Sequence, residues 1–463
     1  MSLFSLGKKF VVRLSATQQI ALSFAFVILS GGLLLWLPIS NNAGTGQFID
    51  HLFTATSAVC VTGLVTVIPV DQYTIFGQFI IILLMQIGGL GLMTLLAVFL
   101  VFVGGKLSHA DKLAMQEAVN RNTLSNFSQF LKFIIRYTLL FEGTGFILLS
   151  FRFVKEFGWG LGLFRSLFVA VSAFCNAGID NIGKLNLIPY VSDPLVSLTV
   201  SVLIIMGGLG FSVWFDLTQS TKSILKRKLP FKVAVKHLRP HTKLVLIMTS
   251  LLIGSGTLFI LWAEYSNPGS IRSLDFGSKL LSSFFQSVTL RTAGFSTLDI
   301  GKLRPVTQVL MMFFMFIGGS PGGTAGGIKT TTFAILILLV IAEIRGQSKI
   351  VIFKRSISRE TSRKAFVIAF ALLLTLLLGI TLLTITENQT FLALCFEATS
   401  AIATVGLSMG ITMQLTAAGK LIIIALMYLG RIGPLTLILS LGTHRNNAKI
   451  NDINYPDTTI LIG

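Results

Sequence analysis

Residues 317–332 read IGGSPGGTAGGIKTTT, and six of the ten residues from Gly318 to Gly327 are glycine, with Pro321 among them. In a helix each glycine costs about 1 kcal/mol relative to alanine, and proline about 3. No continuous helix can run through this stretch. Yet Val309–Ile317 before it and Phe333–Ile341 after it are wholly apolar. The pattern predicts a broken backbone at membrane depth. Its free N–H and C=O groups cannot face lipid, so they must meet water, protein or an ion. A wet pathway is expected beside this loop.

The rest of the chain supplies the membrane. Of 463 residues, 53% are hydrophobic and only 12% charged, and the mean hydropathy is +0.82. Apolar runs long enough to cross roughly 30 Å of hydrocarbon recur from end to end, so a polytopic membrane protein without a large soluble domain is expected. The first run begins near Ala16. It is too long for a signal peptide, no clean cleavage site follows, and it reads as a retained helix. Net charge is +19. The basic residues sit in short loops between spans. That suits anionic lipid and a basic cytoplasmic face able to dock a soluble partner, not nucleic acid. Cys60, Cys175 and Cys395 fall in apolar segments and read as packing residues, not as a disulfide framework or metal site.

Eight spans are expected: Ala16–Ile39, Phe76–Val103, Phe130–Phe151, Leu195–Leu217, Leu244–Trp262, Val306–Ile344 (interrupted), Ala365–Ile385 and Lys420–Leu441. Between the members of each pair lies a half-apolar segment too short to cross. Aligned on Gly63, Gly178, Gly294 and Gly406, these segments recur at intervals of 115, 116 and 112 residues. Ten residues before each glycine stands Phe53, Phe168, Phe284 or Phe396, and six before three of them Ser57, Ser172 or Ser400. The second helices align on Gly88-Gly89, Gly207-Gly208, Gly318-Gly319 and then Gly430-Arg431. The expected fold is an all-α membrane protein of four tandem helix–pore-loop–helix repeats. They cover 1–103, 104–218, 219–344 and 345–442, with a cytoplasmic tail at 443–463. Eight Lys and Arg residues crowd Asp216–Lys243 and seven crowd Arg345–Lys364, whereas Ser40–Ser57 and Thr386–Thr399 have none. By the positive-inside rule both termini lie in the cytoplasm and the short segments enter from outside.

Such a unit suits a cation pore. A short helix ending inside the membrane turns its C-terminus, with roughly half a negative charge, toward a cation. The chain then rises in extended form, its carbonyl oxygens replacing an ion's hydration shell. That backbone favours glycine, and each candidate strand holds one: Val59–Leu64, Phe174–Ile179, Leu290–Phe295 and Ile402–Leu407.

The stretches VTGL, NAGI, SVTLRTAGF and ATVGL, the glycine-rich loop and GRIGPLT at Gly430–Thr436 resemble the Trk/Ktr/HKT superfamily of potassium transporters, in particular the bacterial Ktr-type membrane subunit. The resemblance implies potassium uptake at the bacterial cell membrane through a pseudo-fourfold pore made by one chain. It also implies a homodimer, a cytoplasmic ring of regulatory subunits that bind adenine nucleotides, and stimulation by sodium. Potassium is then the transported ligand, and no covalent cofactor is expected. Matched position by position, the filter comprises Val61, Thr62 and Gly63; Asn176, Ala177 and Gly178; Thr292, Ala293 and Gly294; and Thr404, Val405 and Gly406, offering backbone carbonyls. Serine at the first glycine accompanies sodium transport in plant relatives, so Gly63 points to potassium. Ile179 and Leu290 depart from the phenylalanine and proline more usual at their positions.

The loop Gly318, Gly319, Ser320, Pro321, Gly322, Gly323, Thr324, Ala325, Gly326, Gly327 and Lys329 matches the family's intramembrane gate. Arg431 stands where the other repeats have Gly89, Gly208 and Gly319. An arginine deep in a bundle is functional by default, and its five donors match the loop's free carbonyls, so Arg431 is expected to bind the loop and close the pore. Its plainer role would be to anchor two helices. Gly322–Thr330 only approximates a nucleotide loop, because Ile328 intervenes and no strand precedes it. Lys329 is expected to line the vestibule or to snorkel. Arg136 and Glu142 share one span and are expected to pair structurally, with each other or a neighbouring helix. Asn176 is expected to hold its strand, and Arg291 to lie behind the filter against backbone or a carboxylate such as Asp299. Two other classes are disfavoured. A sodium-coupled symporter would use inverted halves and several broken helices, whereas one break is expected here. A membrane enzyme would need a nucleophile with its base, paired carboxylates or metal ligands within a span. A sodium-coupled or sodium-selective transporter of the same architecture remains the alternative.

Overall fold

The computed structural model describes residues 16–42, 44, 46–91, 127–227, 238–347 and 349–433. The expected ends of the second and eighth spans, the last residues of the 430–436 motif, part of the basic 216–243 connection and the 443–463 tail lie outside them.

Three helices recur four times in the same order. The first set is α1 (Ala16–Trp36), α2 (Phe48–Cys60) and α3 (Ile75–Leu90). The second is α4 (Phe127–Phe157), α5 (Trp159–Cys175) and α6 (Pro194–Gly208), which continues as α7 (Phe211–Arg227). The third is α8 (Pro240–Glu264), α9 (Phe276–Thr289) and α10 (Pro305–Phe316), with α11 (Thr330–Ile344) beyond the glycine-rich loop. A two-stranded hairpin, β1 (Val351–Ile352) with β2 (Arg355–Ser356), leads to the fourth: α12 (Arg359–Thr386), α13 (Phe391–Ile402) and α14 (Ala417–Ile432).

Among the described residues, four helices are long and apolar enough to cross a membrane: Gln18–Trp36, Gln129–Phe157, Pro240–Glu264 and Arg359–Thr386. They are the leading helices of the four sets. Each packs on the short helix that follows, α1 on α2, α4 on α5, α8 on α9 and α12 on α13. The third helix of each set then packs on the short helix of the next: α3 on α5, α6 on α9, α10 on α13, and α14 back on α2. The order is cyclic, so the chain closes on itself.

Side-chain caps start several helices where the sequence offers them. Thr74 accepts from Gly77 N–H before α3, and Asp193 caps α6 ahead of Pro194. Thr416 does the same for α14. Each cap satisfies an N–H that the first turn cannot.

The trailing helices correct one expectation. They were expected to run unbroken except at the glycine-rich loop, but the Leu195–Leu217 span is two helices bent by 95° between Gly208 and Phe211. Helix α3 stops at Leu90 and α14 at Ile432. The cause is a glycine just past each end, Gly91 (φ 80°), Gly210 (φ 91°) and Gly433 (φ 90°), in a conformation that L side chains rarely adopt. All four trailing helices therefore end or break at one level. Just above it, a Cβ on Gly88, Gly207 or Gly430 would overlap the carbonyl oxygen of Val59, Phe174 or Ile402, four residues before the aligned glycine of its own set.

Ring closure has its own polar fastening. Lys420 on α14 donates to Asp50 on α2 (2.6 Å), with both side chains largely buried, and Tyr428 on α14 donates to Ala21 O on α1 (2.7 Å). Replacing Lys420 by methionine strands the Asp50 carboxylate. It should cost roughly 2–3 kcal/mol, between the values for exposed and fully buried pairs. Thermal unfolding in detergent should show the loss, and Asp50→Leu added to Lys420→Met should recover most of it. Equal destabilisation by the single and double variants would remove this pair from ring closure.

Candidate functional site

The four short helices end at one place. Each is followed by a residue in the left-handed region, Val61 (φ 56°), Asn176 (φ 59°), Thr292 (φ 64°) or Thr404 (φ 54°), two positions before the aligned glycine. Gly63, Gly178, Gly294 and Gly406 also have positive φ. The glycines abut one another in cyclic order. A Cβ on Gly63 would lie 2.8 Å from Ala177 O, one on Gly178 2.5 Å from Ala293 O, and one on Gly294 2.7 Å from Val405 O. A Cβ on Gly406 would overlap Thr62 O. The twelve residues assigned to the filter by resemblance are thus brought together as one ring of four strands, nearly all buried.

Hydroxyls hold the strands against their helices. Ser57 Oγ accepts from Gly63 N–H (3.0 Å) and Ser400 Oγ from Gly406 N–H (3.0 Å). Ser172 Oγ donates to Ile179 O (2.6 Å). In the third set Thr289 donates to Phe295 O (2.6 Å). Thr289 lies five residues before its glycine rather than six. The buried ring there is likewise Phe285 and not the aligned Phe284, which is only half-buried. Ala293 N–H bonds four residues back, to Thr289 O, where Thr62, Ala177 and Val405 bond five back. The third strand thus reaches the ring with one residue fewer, an offset that alignment on glycine conceals.

Sequence reading missed Glu397. It is fully buried on α13 and accepts from Ser408 Oγ (2.8 Å) and from Thr412 Oγ1, both just past the fourth strand. Thr54, Val169 and Phe285 hold the corresponding places, so at this position of the short helix the fourth set alone has a carboxylate. The signal was one acidic residue inside an otherwise uncharged short helix.

The glycine-rich loop lies under the ring and joins three sets. Ser320 N–H donates to Gly208 O (2.9 Å), Thr324 N–H to Gly207 O (3.3 Å), and Phe211 N–H to Gly322 O (3.0 Å). The broken backbone of α6–α7 is thus satisfied by the broken backbone of α10–α11. Within the loop Gly318 N–H donates to Ile328 O (2.8 Å), Thr330 N–H to Gly319 O (3.0 Å), and the Ser320 and Thr330 hydroxyls meet at 2.9 Å. Thr324 Oγ1 reaches Phe174 O (3.3 Å) and the Asn176 amide (3.2 Å). On the opposite side Gly326 lies so close to Thr404 that a Cβ would overlap its hydroxyl, and Gly327 approaches Ala403 O. Pro321, Gly322 and Gly323 pack against Gly210 at the α6–α7 bend.

Arg431 donates to Thr324 O of the loop and to Gly88 O at the end of α3. It therefore touches the loop and also ties α14 to α3. Lys329 is half-buried and its Nζ donates back to Ala325 O (2.6 Å). Arg136 and Glu142 do not meet each other: Arg136 is exposed, while Glu142 is buried beside Cys175 of the neighbouring α5 (3.9 Å). Asp299 pairs with Lys302 (3.1 Å) and caps the turn that follows it. Arg291 is buried behind the third strand, its Nε and Nη2 without hydrogen bonds among the described residues.

The register offset is testable. Thr289→Val removes the donor to Phe295 O and should cost roughly 1–2 kcal/mol in thermal unfolding, while Thr289→Ser should be nearly neutral. If Thr289→Val leaves the midpoint unchanged, that hydroxyl does not hold the strand.

Comparison with known proteins now adds to the geometry. A family model described as TrkH, cation transport protein, matches residues 8–452. The chain is similar to the Ktr system potassium uptake protein B of Bacillus subtilis, 42% identical over 98% of each chain. It is also similar to the potassium/sodium uptake protein NtpJ of Enterococcus hirae, 38% identical over 97% of this chain and 98% of that one. Among solved structures, the potassium transporter TrkH from Vibrio parahaemolyticus has the same fold, with a TM-score of 0.70 at 18% identity over 92% of this chain and 84% of its own. On the extent of these matches and the shared fold, this chain belongs to the TrkH family of cation transport proteins.

Proposed function

We propose that this chain takes up potassium across the cell membrane through a pore at the centre of its four helix sets. In this reading the sets are four helix–pore-loop–helix repeats with eight transmembrane passages, and both termini are cytoplasmic. The observation that carries it is the cyclic contact of Gly63, Gly178, Gly294 and Gly406, with the carbonyls of Thr62, Ala177, Ala293 and Val405 set between neighbouring glycines. Backbone oxygens crowded about one axis, at the C-terminal ends of four short helices, suit a dehydrated monovalent cation. The hydroxyls of Thr292 and Thr404, which make no hydrogen bond among the described residues, add acceptors at the inner end. The names of the relatives, potassium uptake in one and potassium/sodium uptake in another, support the same cation class.

The glycine-rich loop is the gate. It lies across the path beneath the ring, held by backbone bonds to α6 on one side and by Arg431 on the other. Opening requires those bonds to be exchanged for water, an equilibrium that a cytoplasmic partner can bias through α11. We take that partner to be a ring of nucleotide-binding subunits beneath a homodimer of this chain, as the Ktr system name of the relative suggests, with sodium as an activator. Sodium as a transported ion is the second reading, favoured by the name of the Enterococcus relative.

Expression in cells lacking potassium uptake, with the cytoplasmic partner supplied, should restore growth at low potassium; failure to rescue would count against the reading. Gly63→Ser puts a Cβ against Ala177 O and should lower the potassium-to-sodium permeability ratio about tenfold in proteoliposomes, whereas an unchanged ratio takes Gly63 out of the filter. Arg431→Ala frees the loop and should raise potassium flux severalfold. Unchanged flux in the folded variant would reduce Arg431 to a helix anchor.

A further inference from the structure

A cleft of about 480 Å³ opens where α11 and α12 meet, beside the β1–β2 hairpin. It lies at the boundary of the apolar layer. Helix α11 runs without a charge from Thr330 to Ala342 and meets its first at Glu343, while α12 becomes continuously apolar only after Lys364. One wall carries Leu339 and Phe366, with Val340 and Ile344 exposed nearby. The rim carries Lys349, Arg359 and Arg363, against the single carboxylate of Glu343. None of the three cations makes an ion pair among the described residues. The neighbouring carboxylate, Glu360, is taken by Lys364 at 2.6 Å. The cleft also lies at the first turn of the 28-residue α12, where the helix dipole favours an anion.

We propose that this cleft binds one anionic glycerophospholipid of the inner leaflet, its phosphate among Lys349, Arg359 and Arg363 and its chains along Leu339 and Phe366. Charge and shape carry the assignment. Three unpaired cations above an apolar wall match a molecule that is anionic at one end and hydrocarbon at the other, and basic pockets between helices on the cytoplasmic side suit such headgroups. A soluble phosphate would leave the apolar wall unused. The site also has a route to the gate. Helix α11 begins at Thr330, directly after Lys329, whose amine is bonded to the loop, so a lipid that steadies the far end of α11 biases the loop.

Purified full-length protein in a neutral detergent tests this by thermal unfolding and native mass spectrometry with short-chain phosphatidylglycerol. Phosphatidylglycerol should raise the melting midpoint saturably and give a one-to-one adduct, while phosphatidylcholine of the same chain length and millimolar inorganic phosphate should not. Lys349→Gln, Arg359→Gln and Arg363→Gln combined should weaken binding at least tenfold. Leu339→Trp, which fills the cleft without altering charge, should do the same and serves if the triple variant does not fold. Lys354→Gln with Arg355→Gln, at the hairpin turn outside the cleft, should bind as the parent does. Equal loss in that control would reduce the effect to diffuse surface attraction and overturn the site. An equal response to inorganic phosphate would overturn the lipid assignment. Unchanged lipid binding in the triple variant, with loss only of the regulatory partner's effect on flux, would make the cleft a protein-docking site and overturn the proposal. The readout is binding, so it is independent of which ion the protein carries.

Discussion

Everything in this molecule is arranged about four peptide segments that approach too closely for any side chain to stand between them. A methyl group on any of the aligned glycines meets the carbonyl oxygen of the neighbouring strand. That closeness dictates glycine four times over. It also obliges the short helices to end at one level and the trailing helices to wedge outside them. The hydroxyls of Ser57, Ser172, Thr289 and Ser400 then fix each strand to its own helix. These bonds are needed because, among the described residues, the four segments form no sheet that would hold them. Repulsion among crowded oxygens disfavours such a ring unless the frame is stiff or a cation occupies it.

The second constraint is that backbone at membrane depth must find partners. The broken loop between α10 and α11 was legible from composition alone. Where its bonds would go was not. The answer is a second break, at Gly208–Phe211, whose own freed groups face the loop. Two local defects become one hydrogen-bonded junction. The sequence hinted at it through Gly207, Gly208 and Gly210, but Gly88, Gly89 and Gly91 stand likewise at the end of α3, and Gly430 and Gly433 at the end of α14. Composition shows where a helix is interrupted but not where its freed groups find partners.

Membership of the cation transport family and the mostly helical fold could be read from the chain because both rest on local patterns. Apolar runs mark the long helices, and glycines at similar spacing mark the positions that the fold brings into one ring. What escaped depends on distances between elements. The one-residue offset of the third short helix was invisible because alignment forced Phe284 onto Phe53. The structure buries Phe285 in that place, and Thr289 follows from the same shift. The pairing of Arg136 with Glu142 failed for a related reason. Residues six apart on a helix lie about 120° from the favourable i, i+3 and i+4 neighbours' meridian and cannot face each other. Glu397 went unremarked because a single carboxylate in a short helix has no meaning until the loop carrying Ser408 and Thr412 folds back over it.

A ring of four helix sets built from one chain can differ at every quarter. Three residues before the aligned glycines stand Cys60, Cys175, Arg291 and Ala403, and nine before them stand Thr54, Val169, Phe285 and Glu397. The sharpest departure is at the level where the trailing helices end. Gly89 and Gly208 are kept bare there, while the fourth set supplies Arg431, whose guanidinium spans from Thr324 O to Gly88 O. A fourfold arrangement of identical subunits would place four arginines at this level, and their mutual repulsion would disfavour packing there. With one arginine, a single cation holds the loop and leaves the other quarters free to carry backbone bonds. The asymmetry that repetition in one chain permits is therefore what lets one guanidinium tie the loop to the opposite quarter.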